Sequence, residues 1–354
     1  MNDLKKNKTK EMILVSLILI ISFAVWLVVP YAQHLTNDRE LSWNYYIVKG
    51  IIVSFASLAV YLIAGNYGTA VFKNYSKLIL YVSTAVVLAF AVFEYPLSRV
   101  DISVLSKAIA YAYAALPFLQ VVSLCALAVC LDEILSGDIS FSKIALIAAG
   151  TVLAVLLNNV FKVVLFIMLI TVLIKQFKSK DEGRKAAVII VTMLSASLLA
   201  YIAYAFCDEL KTLLIEWDNK SYMAYVSRNV WSQAKLFGTM DDLKIVGGSI
   251  SGFSLLWLIG FLGIIPTAII VITLITLVLQ MLKQGENMGI VNPLKNLALI
   301  FFCVRLFLAI LANCGIVLVG LMTPMPMVMD TVSGMLCSFL LLGLHNSYLK
   351  NTTE

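Results

Sequence analysis

Apolar runs about twenty residues long, separated by short polar segments, recur along this whole 354-residue chain. At about 1.5 Å of rise per residue, a helix of that length crosses a hydrocarbon layer about 30 Å thick. Ten runs qualify, at roughly 12–31, 46–65, 77–95, 109–131, 141–157, 160–177, 186–206, 253–282, 296–319 and 331–349. None alternates apolar and polar residues with a period of two, which argues against a barrel. Only Asn158 and Asn159 divide the fifth run from the sixth, so that pair reads as two short tilted spans or as one re-entrant pair. The eighth run is over-long, and Pro266 is placed to kink it. The pattern predicts an all-α, polytopic membrane protein of about ten transmembrane helices forming a single membrane domain over 1–354. A large loop at about 207–252 lies between the seventh and eighth helices. Within it Leu210, Leu213, Leu214 and Trp217 share one helical face, predicting an interfacial helix from Glu209 to Trp217.

Composition agrees with lipid as the solvent. The chain is 61% hydrophobic and 13% charged, with a mean hydropathy of +0.96, whereas a soluble domain is about half apolar and a quarter charged. The net charge of +6 therefore carries topology and says nothing of nucleic acid. If the spans alternate, Lys5, Lys6, Lys8, Lys10, Lys73, Lys77, Lys143, Lys175, Lys178, Lys180, Arg184, Lys185, Lys283, Lys295 and Lys350 fall on one side of the membrane. Against them, Arg39, Lys49, Arg99, Lys107, Lys162, Lys211, Lys220, Arg228, Lys235 and Lys244 fall on the other, half of these in one long loop where charge weighs less. The positive-inside rule then puts both termini in the cytoplasm and loop 207–252 outside. The run after Lys10 is long enough to span and is followed by no small-x-small cleavage site, so it reads as a retained helix. Six cysteines without a C-x-x-C pair, and only His34 and His345 for imidazole, predict packing residues, with no metal and no cofactor.

Ionisable residues inside apolar runs are costly and mark either function or a structural pair. Arg305 lies mid-way along the ninth run, and two readings are open for it: a structural ion pair, or a groove for an anionic head group. Glu94, Asp132, Glu133 and Asp330 sit at run ends, where an interfacial position explains the first three. Asn158, Asn159 and Asn313 suit interhelical hydrogen bonding. No Gly-rich phosphate loop, H-E-x-x-H motif or nucleophile elbow occurs.

The C-terminal third carries a resemblance. From Pro324 the chain reads P-M-P-M-V-M-D-T-V-S-G-M-L-C-S-F-L-L-L-G-L, preceded by Asn313-Cys314-Gly315. This is similar to the last helix and preceding loop of the shape, elongation, division and sporulation (SEDS) family, also called FtsW/RodA/SpoVE, which read P-L-P-F-I-S-Y-G-G-S-S and then N-F-x-x-L-G-L. Pro324, Pro326, Ser333, Phe339 and Gly343 fall on matching positions. Leu236-Phe237-Gly238 resembles the family's L-F-G, and Phe253 and Gly263 fit its D-F-x-F-x-x-x-x-E-E-x-G. Ten helices with a large outer loop after the seventh are also the family's layout.

The resemblance implies a bacterial plasma-membrane protein of cell-wall assembly, cell shape or cell division. Its partners would be an undecaprenyl-linked precursor and a transpeptidase or another envelope membrane protein, with no nucleic acid. It also implies a lipid-substrate groove drawn from Arg305, Asn313, Pro324, Pro326, Ser333, Phe237 and Gly238. Family members polymerise lipid II, which needs an acid–base group at the attacking hydroxyl. Here the family's aspartate position is Gly252, and its paired glutamates fall on Gly260 and Phe261. Neither glycine nor phenylalanine carries a proton, so the expectation is a relative without the catalytic acid. The alternatives are a glycosyltransferase with acids relocated to Asp241, Asp242 or Asp330, and a flippase or transporter of a lipid-linked precursor.

Overall fold

The computed structural model describes residues 15–18, 20–24, 43–97, 103–134, 140–177, 222–241, 254–286, 293–314, 323–328 and 331–351. The run at 186–206, the stretch 209–217, and Asp242, Gly252 and Asp330 lie outside these residues. Among the described residues every regular element is a helix. After the helical residues around Val15–Ala24, they are α1 (Trp43–Ile63), α2 (Thr69–Leu97), α3 (Ser103–Ile134), α4 (Phe141–Leu156), α5 (Asn159–Phe177), α6 (Tyr222–Gln233), α7 (Ser254–Leu262), α8 (Ile264–Glu286), α9 (Pro293–Asn313) and α10 (Val332–Asn351). Four stretches are long and apolar enough to cross a membrane: Val48–Val92, Ala114–Leu131, Ile264–Lys283 and Pro293–Asn313. Phe141–Leu156, Asn159–Val172 and Val332–Ser347 are shorter apolar helices.

Local signals set several helix starts. Ser140 caps α4 by accepting from the Lys143 N–H at 3.4 Å. Leu157 is extended, and Asn158 then caps α5, its Oδ1 accepting from Phe161 N–H at 3.0 Å. The two asparagines thus begin a helix rather than sit within one. Thr331 caps α10 through the Gly334 N–H at 3.1 Å. Pro293 opens α9, where its missing N–H leaves no helical bond unmade.

Two differences from the sequence pattern stand out. The runs at 46–65 and 77–95 lie on one unbroken helical stretch. A π-turn at Ala64–Gly68 joins α1 to α2, and the flanking Ile63 and Thr69 keep right-handed helical backbone. Residues 66–76 are polar in places but contain no proline, so nothing in the backbone forces a turn there. The second difference lies in the eighth run. It breaks at Gly263, with φ of 94°, and Pro266 sits in the first turn of α8, where proline is accommodated.

The chain divides into two compact units. The first comprises Met1–Val60, Cys207–Ile290 and Phe302–Phe339. Its core holds α7, of which Ser254 to Gly260 are all buried, packed against α6 and α8. The second comprises Tyr61–Phe206, Val291–Phe301 and Leu340–Glu354. There α2 packs on α3 and α4, Lys77 pairs with Glu133 at 2.5 Å, and Phe161 stacks on Phe301. The π-turn meets the end of α10 in the same unit. The Asn346 side-chain amide donates to the Tyr61 hydroxyl at 2.7 Å, and Thr69 bonds Ser347. A Cβ on Gly343 would lie 2.5 Å from the Tyr61 carbonyl oxygen and 2.8 Å from the Ala64 Cβ, so only glycine permits this approach.

Candidate functional site

Most of the residues singled out above surround α7 in the first unit. Splitting a helix exposes carbonyls at the end of one half and N–H groups at the start of the next. The segment after α6 satisfies both sets. Gly238 N–H donates to Leu262 O at 3.0 Å and Met240 N–H to Gly260 O at 2.8 Å. In return Ile264 N–H donates to Lys235 O at 2.9 Å and Ile265 N–H to Leu236 O at 3.1 Å. The Leu-Phe-Gly motif is therefore the strap that bridges the break. Gly263 is held tightly beneath it: an added Cβ would lie 2.8 Å from both Leu236 O and Phe237 Cα. Gly238 has a φ of 80° but open space around it.

The other end of α7 is anchored by α9. Asn313 is fully buried. Its Oδ1 accepts from the Leu256 N–H at 2.8 Å, capping α7 from a distant helix, while its Nδ2 donates to Ala309 O at 2.6 Å. Its main-chain carbonyl accepts from Ser227 Oγ at 3.2 Å and Trp231 Nε1 at 3.0 Å. One asparagine thus ties α9, α7 and α6 together.

A buried irregular segment, 323–328, completes this end. Non-helical backbone is tolerated in an apolar interior only when its polar groups find partners. Pro324 and Pro326 remove two donors from the account. The Met325 N–H goes to Ser254 Oγ at 2.9 Å, and the Met327 carbonyl accepts from Ser22. Arg305, 5% exposed, directs Nε to Thr323 Oγ1 at 2.9 Å and Nη2 to Pro324 O at 3.3 Å. Met327 takes a positive φ of 63°, an arrangement that a bulky residue adopts only when its surroundings impose it.

The structure therefore brings Arg305, Asn313, Pro324 and Pro326 to the N-terminal end of α7. Phe237 and Gly238 lie at its C-terminal end, about 12 Å away along a nine-residue helix. Ser333 is buried and 3.3 Å from Thr331 Oγ1, a contact local to the α10 cap. Asp241 forms an ion pair with Lys235 at 2.6 Å, its side chain 88% exposed. Ser254 and Thr323 were not singled out by sequence reasoning, although each carried a signal. Ser254 opens an apolar run, as a capping residue does, and Thr323 immediately precedes the Pro-Met-Pro-Met stretch. Among the described residues no group of His, Cys, Asp and Glu is arranged to hold a metal ion. No protein-family model and no curated protein matches the chain.

Proposed function

We propose that the chain is a divergent SEDS-like, multi-pass protein of a bacterial cytoplasmic membrane that supports cell-wall assembly, cell shape or division through helix contacts, without glycosyl transfer. The observation that carries the reading is the fate of the polar groups around α7. Asn313 and Ser254 accept from the Leu256 and Met325 N–H groups, and Arg305 donates to Thr323 Oγ1 and to the Pro324 carbonyl. Asp241, the one acid candidate among the described residues, is a solvated partner of Lys235 rather than a group aimed at Arg305. Such a centre favours a fixed packing arrangement over proton transfer, which needs an acid or base within reach of a substrate hydroxyl.

The reading includes about ten crossings with both termini cytoplasmic. That count rests on the ten apolar runs of the sequence; the stretch Val48–Val92, 45 residues long and about 68 Å as one helix, does not itself supply the reversal that two crossings need. The charge asymmetry of the loops supports the orientation.

The test is purified protein reconstituted with lipid II. The expected result is no glycan polymer and no movement of labelled precursor between leaflets. Polymer formation that is lost on Asp241→Asn, Asp242→Asn or Asp330→Asn would establish relocated acids instead, and labelled lipid crossing the bilayer would establish a transporter.

A further inference from the structure

The segment that bridges the α7–α8 break presents two opposed surfaces. Leu236 is 63% exposed and Phe237 65%, a costly display for adjacent large apolar side chains in water. Beside them, Lys235 and Asp241 form an ion pair with both side chains open to solvent, a placement costly in hydrocarbon. Neither bulk water nor bilayer interior accommodates all four residues. The boundary between the two does.

The α8 helix supplies an independent ruler. Its exposed large apolar residues, Ile265, Ile269, Ile272, Ile275, Leu279 and Leu282, run along one face and stop at Lys283. From Ile265 to Leu282 that face covers about 26 Å, close to one hydrocarbon thickness of about 30 Å. Its upper end is the residue whose N–H is bonded to the Leu236 carbonyl. The hydrogen-bonded register therefore holds Leu236 and Phe237 level with the point where α8 leaves the lipid. No such stripe continues onto α7, which is buried in protein.

We propose that Leu236 and Phe237 are a lipid-interface anchor: they insert into the boundary between acyl chains and head groups and fix the depth of the broken helix, while Lys235 and Asp241 remain on the water side. The partner is the bilayer boundary itself. The Lys235–Asp241 pair is neutral overall, so the anchor does not depend on anionic head groups. This inference rests on reading α8 as a membrane span, and the experiment separates the two.

Phe237→Trp and Ile272→Trp variants, each measured as the difference from the parent with its five tryptophans, are placed in vesicles whose lipids carry bromine either near the carbonyl end or deep in the acyl chain. Elution volume and helical circular dichroism matching the parent establish folding. The added tryptophan at 272 is expected to be quenched most by deep bromine, and that at 237 most by shallow bromine, equally in zwitterionic and anionic vesicles. Emission at 237 that is unquenched by either lipid, with 272 still deep, overturns the anchor and leaves the span intact. Equal deep quenching at both positions also overturns it. If neither position is quenched, the span reading falls and the anchor with it. Quenching at 237 confined to anionic vesicles would refute the charge-independent boundary and assign the contact to head-group charge.

Discussion

Gly263→Ala tests the break in the eighth run most directly, because two costs act there and a neighbouring glycine separates them. At a φ of 94° an L-residue is strained, and such conformations cost about 1–3 kcal/mol each. The new Cβ would also lie 2.8 Å from Leu236 O and Phe237 Cα. These are backbone atoms, held in place by the bonds to Ile264 and Ile265, so they cannot rotate aside as a side chain would. Overpacking of this kind adds about 1–3 kcal/mol. Gly238→Ala meets only the first cost, since its φ is 80° and nothing lies within 4 Å of its Cβ. The expected losses are therefore about 1–3 kcal/mol for Gly238→Ala and about 2–6 kcal/mol for Gly263→Ala. Equilibrium unfolding of both variants in mixed detergent micelles, followed by circular dichroism, measures the difference. Equal destabilisation would refute the tight contact beneath the strap, and a neutral Gly263→Ala would refute the break itself.

Other substitutions probe the remaining contacts. Asn313→Leu leaves the buried Leu256 N–H without its acceptor and should destabilise by about 1–3 kcal/mol in the same assay; an unchanged midpoint would show that Asn313 does not cap α7. Gly343→Ala would drive a Cβ to 2.5 Å from Tyr61 O, for a loss of about 1–3 kcal/mol, whereas Gly65→Ala, whose Cβ would lie 3.6 Å from the Gly343 carbonyl oxygen, should be tolerated better; the reverse order would refute the packing at the π-turn. Glu133→Gln breaks a solvent-open pair with Lys77 and should leave the unfolding midpoint nearly unchanged, because exposed ion pairs are screened by water and salt; a marked loss would show the pair to be shielded from solvent.

Hydrophobic run length made the helical character and most helix positions legible, because each signal needed is local. Asn158 after Leu157 and Pro293 before the ninth run mark helix starts by chemistry that acts within a few residues. The break at Gly263 is half legible: a glycine followed three residues later by proline is a helix-end signal, but the apolar residues on both sides also fit one continuous span.

The continuity of α1 with α2 was not legible, since polar residues at 66–76 are compatible with a turn or with a helix surface. Nor could the sequence say that Arg305 donates to Thr323 and to the Pro324 carbonyl, 18 and 19 residues away. Asn313 could be read as interhelical glue, but its capping of α7 depends on Leu256, 57 residues distant.

By itself, then, the sequence determined a helical chain with apolar stretches long enough to cross a membrane, because periodicity and run length are properties of neighbours in the chain. Tertiary structure alone decided where the eighth run breaks, how Leu236-Phe237-Gly238 closes the gap, and which backbone groups occupy Arg305 and Asn313. Those outcomes rest on hydrogen bonds between distant segments, formed where buried polar groups must find partners in the fold.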